Sequence, residues 1–217
     1  NAMTSMDWTA YFETLPADAI DLSLRIESDR MRNSLFDPAE VESERTVILN
    51  ERQGAENRPT YHLAEELIGA AFRQHPYRHM VIGTEADLRA ISRDDLYHHY
   101  QAYYAPRNAF ITVAGDFDTP DMIDRIARAF GDIPGGDPIA ARIAVDPPQR
   151  AERRVTVRRP SPAAYMMMGY RMPAADHADI PAILVADAVL SGAKPMGLGG
   201  GSANGRSARL YRALVST

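Results

Sequence analysis

The chain has 217 residues, 45% of them hydrophobic, and 24 basic against 29 acidic residues give a formal net charge of -5. This composition supports a folded core and excludes the disordered classes. The basic residues are scattered, and we interpret the one basic segment, 150–159, as the solvated face of a strand, so we expect no nucleic-acid partner. The absence of cysteine excludes disulfides, a thiolate nucleophile and cysteine-based zinc sites. No apolar run approaches the ~20 residues of a membrane span, so we expect no membrane partner.

Local patterns predict a mixture of strands and helices along the chain. Alternating apolar residues predict strands at 4–12, 109–115, 154–160 and 163–173. Helical spacing and capping residues predict helices at 16–35, 37–58, 59–72, 119–131, 180–192 and 207–217, and two more that begin at Thr84 and Ser92. The short strands and short connections favour an α+β fold, a two-layer antiparallel sheet with helices packed on one face, over a doubly wound sheet.

One segment separates two predicted units. Residues 134–149 hold four prolines and two glycines, which is typical of a linker. We therefore predict a first unit at 1–133, a linker at 134–150 and a second unit at 151–217. The glycine-rich segment 194–206 is predicted to be a loop. It matches neither a dinucleotide nor a Walker phosphate motif.

The helix predicted at 37–58 carries the most informative pattern. At 100° per residue, Val41, Glu44, Ile48 and Glu51 fall on one stripe, which should face the core. Two of the four are carboxylates, and a buried carboxylate needs a cation, a hydrogen-bond donor or a metal. The alternative is an ordinary amphipathic helix whose acids reach the rim beside the arginines that follow each of them in the sequence.

The histidines give weaker signals. His75 and His79 are four residues apart, but Pro76 lies between them, so we interpret both as loop histidines rather than a helical metal pair. His98 and His99 are adjacent and point to different faces. Neither H-E-x-x-H nor H-x-x-E-H occurs in the chain.

Several segments, in the same order, resemble the insulinase/pitrilysin family of inverted zinc peptidases, which includes the mitochondrial processing peptidase. They are NAMTSMDWTAYFETLP, IESDRMRN, Glu44-Arg45 with Glu51 seven residues after Glu44, HPYRHMVIGT, YYAPRNAFITVAGDF and, after a glycine-rich loop, SARLYRAL. The resemblance covers essentially the whole chain. It implies that 1–133 is the remainder of a catalytic-type domain and that 151–217 begins a second, homologous and non-catalytic domain.

The resemblance also implies a site. Glu51 matches the glutamate that completes the zinc coordination in the family, and Glu44 matches a supporting acid on the same helix. Asn1, Ala2 and Thr4 match an edge strand that binds the backbone of an extended peptide or unfolded polypeptide substrate. The expected activity is hydrolysis of extended peptides by a metal-activated water, with zinc as cofactor of the full-length parent.

The chain departs from the family in one respect. The family's H-x-x-E-H motif lies roughly seventy-five residues before the zinc-binding glutamate, and only fifty residues precede Glu51 here. We therefore expect a truncated middle piece of a longer protein, with no zinc bound and no peptidase activity of its own. A truncated sheet edge would favour a homodimer or a second homologous half as partner.

Two alternatives to the peptidase fragment stay open on sequence grounds. One is a non-catalytic partner or structural subunit of the same fold, and the other is a peptide-binding module without chemistry. The sequence does not choose a compartment, and we expect either the periplasm or the cytoplasm of a bacterium.

Overall fold

The computed structural model of the chain describes residues 1–139, 143–192 and 208–215. The chain divides into two units, Asn1–Gly169 and Tyr170–Thr217. The predicted glycine-rich loop at 194–206 lies outside the described residues.

Helices make up most of the regular structure in the described residues. In the first unit they are α1 (Ile20–Asn33), α2 (Pro38–Glu56), α3 (Pro59–Ala71), α4 (Glu85–Ala90), α5 (Arg93–Tyr103) and α6 (Thr119–Phe130). Short 3₁₀ turns occupy Ala17–Ala19, Pro76–Arg78 and Pro106–Asn108. The second unit contributes α7 (Ile180–Ser191) and α8 (Arg209–Leu214), which pack against each other. No helix in the described parts of the chain has the length and apolar character needed to cross a membrane.

Side-chain caps explain where α2, α4 and α5 begin, because the first backbone N–H groups of a helix need acceptors. Asp37 accepts hydrogen bonds from the N–H groups of the first turn of α2, with Pro38 following it. Thr84 caps α4, and Ser92 forms a reciprocal capping box with Asp95 at the start of α5. The predicted starts of these three helices are thereby confirmed.

The strand predicted at 4–12 is instead a hairpin. Strands β1 (Ala2–Thr4) and β2 (Thr9–Tyr11) pair antiparallel, with Thr4 opposite Thr9. The Ser5 N–H donates to the Trp8 carbonyl at 2.8 Å, which closes the turn between them. The prediction of one continuous strand is wrong because alternation along a sequence does not reveal a tight turn that preserves it.

The other three predicted strands are not strands in the described structure. Segments 109–115, 154–160 and 163–173 have no ladder of hydrogen bonds to a neighbour among the described residues. Phe110, on the first of them, is 89% exposed. A period-two pattern fixes which side chains share a face, but a strand also needs a partner strand. The described residues therefore contain a two-stranded sheet and not the predicted two-layer arrangement.

Aromatic side chains join the first helices to α5. The Tyr100 hydroxyl donates to the Arg30 carbonyl at 2.9 Å, and its ring lies 5.2 Å from that of Phe36. Phe36 adopts a left-handed backbone conformation with φ of 51°, which is unusual for a bulky residue. Arg93 stabilises this turn by donating to the carbonyls of Leu35 and Phe36.

The segment predicted as a linker is described on both sides of a gap at 140–142, and each described part is hydrogen-bonded to an earlier part of the chain. The Arg107 N–H donates to the Gly135 carbonyl at 3.1 Å. Asp146 is buried and accepts from the N–H groups of Arg73 and Gln74, each at 2.7 Å. These contacts place both described sides of the segment in the first unit, and the boundary at 134–150 stays a prediction.

Two carboxyl groups meet where the chain leaves the hairpin and packs on α1. Glu13 accepts a hydrogen bond from the Ser23 hydroxyl at 3.0 Å, and its carboxyl group is near enough to that of Glu27 to affect its titration. Burial, and then the Glu13 carboxyl, raise the pKa of Glu27, while Arg30, 3.3 Å away, opposes the shift. Two neighbouring carboxyl groups disfavour ionisation of both at once, which adds to the effect of burial on Glu27.

This pair predicts a pH dependence of stability. Since the pKa of Glu27 is higher in the folded chain than in the unfolded chain, folding is favoured below the ordinary glutamate pKa. That stability is lost as the pH rises through the raised value. We expect Glu27→Gln to remove this loss, so that urea denaturation between about pH 4 and pH 7 gives a flatter profile. Glu66→Gln, an exposed glutamate on α3, is the control. A steep profile retained in Glu27→Gln would contradict the assignment.

Candidate functional site

The two candidate acids lie on one side of α2. The helix is continuous from Pro38 to Glu56, and Glu44 and Glu51 are seven residues apart, which is nearly two turns or about 10 Å along the axis. Both side chains are exposed. Val41, one turn before Glu44, and Ile48, between the two acids, are half-buried. The prediction that the whole stripe faces a packed core is therefore wrong, because its acidic members point to solvent.

Neither acid has a hydrogen bond or an ion pair with another described residue. The alternative prediction, an amphipathic helix whose acids reach its exposed rim, agrees with this exposure, but neither acid pairs with the arginine that follows it. Arg45 instead pairs with Glu42, 3.1 Å away on the preceding turn. Arg52 pairs with Glu56 and Glu65. The side of α2 that carries Glu44 and Glu51 consequently presents two carboxylates without a cation from the described parts of the chain.

Arg52 is the centre of a buried polar cluster that the sequence did not reveal. It is 7% exposed. Its guanidinium donates to the Tyr61 hydroxyl at 2.9 Å, to the Gly83 carbonyl at 2.5 Å and to Glu65 at 3.0 Å. Nε lies 3.1 Å from the Glu56 carboxylate. The planar fork of arginine suits several simultaneous acceptors. The cluster joins α2, α3 and the residue preceding the α4 cap.

Arg45 makes the equivalent contacts seven residues earlier. It donates to the Leu88 carbonyl and, at 2.7 Å, to the Ile91 carbonyl. Leu88 lies in the last turn of α4 and Ile91 is the C-cap residue that follows it, where backbone acceptors lack partners within the helix. A cation at that end also complements the helix dipole. The only sequence signal for these contacts is the repeat of Glu-Arg at 44–45 and 51–52, which does not indicate the acceptors.

The described residues do not form a complete zinc site. A catalytic zinc usually takes three protein ligands, and no group of three acidic or histidine side chains lies close enough to hold a metal in the described ranges. Glu51 alone offers one carboxylate. His62 lies 3.6 Å from Glu65, inside the Arg52 cluster. The His75 Nδ1 accepts from the Tyr77 N–H at 3.1 Å, as expected of a satisfied loop histidine.

The outer edge of β1 carries backbone groups that are not used within the hairpin. Asn1 exchanges two backbone hydrogen bonds with Phe12, at 3.0 and 3.1 Å, and the Ser5 N–H bonds to Trp8. Inward and outward backbone groups alternate along an antiparallel strand. Those of Ala2 and Thr4 therefore point away from β2. Among the three residues predicted to bind substrate, Ala2 and Thr4 have outward backbone groups that no described residue bonds to, whereas the backbone of Asn1 is used within the hairpin.

Sequence models of two peptidase domains together match nearly all of the chain. The model described as insulinase, peptidase family M16, matches residues 1–85, and the model described as the peptidase M16 inactive domain matches residues 90–217. The chain belongs to the M16 peptidase family. The resemblance seen in the sequence is thereby confirmed.

Individual members of the M16 family show the same relationship. The uncharacterized zinc protease YmxG of Bacillus subtilis is 24% identical over 192 residues, which cover 88% of this chain and 46% of that protein. A protease from Helicobacter pylori is 28% identical in a structural match with a TM-score of 0.62, covering 64% of this chain and 34% of that one. The ferredoxin protease FusC, solved in complex with Arabidopsis ferredoxin, shares the fold at 23% identity and a TM-score of 0.61. That match covers 66% of this chain and 16% of FusC. The chain spans less than half the length of each of these relatives.

Proposed function

We propose that this chain is part of a zinc-dependent metalloendopeptidase that hydrolyses extended peptides. The single observation that carries the proposal is the exposed pair Glu44 and Glu51 on one side of α2, in a chain of the M16 family. Relatives of this family are named zinc proteases. A carboxylate oxygen is a ligand that zinc accepts. In this proposal Glu51 is a zinc ligand and Glu44 a supporting acid.

The distance between the two acids assigns them different roles. About 10 Å of helix separates their backbones, so both carboxylates do not easily reach one ion from that helix. Glu51 would contact the metal, and Glu44 would orient a ligating side chain through a hydrogen bond, as supporting carboxylates commonly do. The remaining ligands would come from outside the described residues.

The 217-residue polypeptide would have no peptidase activity of its own. Its sequence contains no H-x-x-E-H motif, and one carboxylate does not hold zinc tightly. In this proposal the chain supplies the zinc ligand Glu51 and the supporting acid Glu44 on α2, and the edge of β1 for the substrate.

The outward edge of β1 would bind the substrate backbone. Ala2 and Thr4 direct their N–H and carbonyl groups away from β2, and an extended peptide adds to such an edge by main-chain hydrogen bonds. Recognition through the backbone makes little demand on side chains, so the substrate class is extended peptides or unfolded polypeptides. Asn1 would contribute its side chain only, since its backbone bonds to Phe12.

One observation favours the non-catalytic alternative. The model that matches residues 90–217 is described as the inactive domain of M16 peptidases. A chain that consists largely of this domain could act as the partner or structural subunit of a separate catalytic chain. In either reading a homodimer or a second homologous half would complete the assembly.

The metal role of Glu51 predicts a loss of activity. In the natural polypeptide that contains this chain, we expect Glu51→Gln to lower kcat for a quenched-fluorescence peptide by at least about 100-fold, and Glu44→Gln by about 10- to 100-fold. Glu66→Gln, an exposed glutamate on α3, should change activity little. Zinc content measured by mass spectrometry should fall with Glu51→Gln alone. Full activity and full zinc content in that variant would refute the assignment.

The edge role of β1 predicts a loss of peptide binding. Proline has no N–H, so Thr4→Pro removes an outward donor of β1 and should weaken binding of a labelled extended peptide about fivefold or more in fluorescence anisotropy. Thr9→Pro is the matched control, because the Thr9 N–H points out of the other edge of the hairpin. Equal weakening by both variants would show that the peptide does not bind along β1.

A further inference from the structure

Two arginines hold α2 along the segment formed by residues 83–91. Arg45 donates to the carbonyls of Leu88 and Ile91 at one end of this segment. Arg52 donates to the Gly83 carbonyl at the other end. The segment consists of α4 and the residues that flank it. The contacts thus tie two points of α2, about 10 Å apart along its axis, to two ends of one neighbouring element.

The two arginines also occupy one side of α2. They are seven residues apart, as Glu44 and Glu51 are, and each follows one of the acids directly. Successive residues of a helix are 100° apart around its axis. When Arg45 and Arg52 face the 83–91 segment, Glu44 and Glu51 are consequently directed about 100° away from it. A rotation of α2 that moved the acids would pull both guanidinium groups from their acceptors.

Several contacts resist such a rotation at Arg52. Its guanidinium is buried and bonds to Tyr61, Gly83 and Glu65, with Glu56 at Nε. Moving it would leave a buried charge without partners and its partly buried acceptors without a donor, which is costly. Arg45 is held less deeply, with its third contact to Glu42. The two arginines therefore differ in burial but share the direction of their bonds.

We infer that Arg45 and Arg52 are positioning residues that set the rotation of α2 and so direct Glu44 and Glu51 toward the proposed metal site. That a metal site lies in this direction rests on the proposed function. The orientation of the two acids can be measured on this chain without it. Each guanidinium donates to several acceptors at once, and it can do so because its donors lie in a planar fork. Lysine has the same charge but lacks this fork, so we expect that lysine cannot replace either arginine.

The test measures where position 51 points. The chain has no cysteine, so Glu51→Cys with Glu66→Cys, an exposed site on α3, can carry two spin labels whose separation is read by pulsed electron paramagnetic resonance. Arg52→Lys and Arg45→Lys are each added to this pair. A rotation of about 40° at a side-chain radius of about 5 Å moves the label by about 3 Å. We expect a shift or broadening of that size in both lysine variants.

The control is Arg89→Lys, which alters an exposed ion pair with Glu85 on α4 and should leave the distance distribution unchanged. All variants are compared under conditions where denaturation curves show them folded, and if Arg52→Lys does not fold, Arg45→Lys decides. An unchanged distribution in folded Arg52→Lys and Arg45→Lys, or equal broadening in Arg89→Lys, would overturn the inference. The labels need no metal, so these outcomes are independent of the proposed function, which would fail instead through full peptidase activity of Glu51→Gln.

Discussion

The buried guanidinium of Arg52 is the interaction on which the candidate site depends. It places a charge in a largely buried position and pairs that charge with a carboxylate on α3, a second carboxylate on its own helix, a tyrosine hydroxyl and a backbone carbonyl. A charge in such a position is tolerated only when its partners are in place. The contacts of Arg52 therefore constrain α2, α3 and the start of α4 together. Contacts on one side of α2 thus fix the direction of the exposed acids on another side.

The two sides of α2 have different surroundings. The arginine side of α2 bonds to its own chain, and the acidic side is left available. Glu42 pairs with Arg45, whereas Glu44 and Glu51 have no ion-pair partner among the described residues. Exposed carboxylates are often unpaired, so the proposal that these two serve a metal and its ligands rests also on the membership of the chain in the M16 family.

The sequence predicted local features well and distant contacts poorly. Asp37, Thr84 and Ser92 were identifiable as caps because a cap bonds to backbone groups two or three residues away. The strands at 109–115, 154–160 and 163–173 were not confirmed, since a strand requires a partner that alternation alone does not supply. The stripe of Val41, Glu44, Ile48 and Glu51 was identified correctly as one side of a helix, but its environment was not. The backbone carbonyls that accept from Arg45 and Arg52 lie 31 to 46 residues away in the sequence, and no local pattern points to them.

Carboxyl footprinting distinguishes the exposed acids of α2, Glu44 and Glu51, from Glu56 and Glu65, which Arg52 holds. The folded chain is treated with a carbodiimide and an amine, and the modification rate of each glutamate is read by peptide mass spectrometry. We expect fast modification of Glu44 and Glu51, and slow modification of Glu56 and Glu65 that becomes fast in Arg52→Lys. Slow modification of Glu44 and Glu51 together with fast modification of Glu56 and Glu65 in the unaltered chain would contradict this expectation.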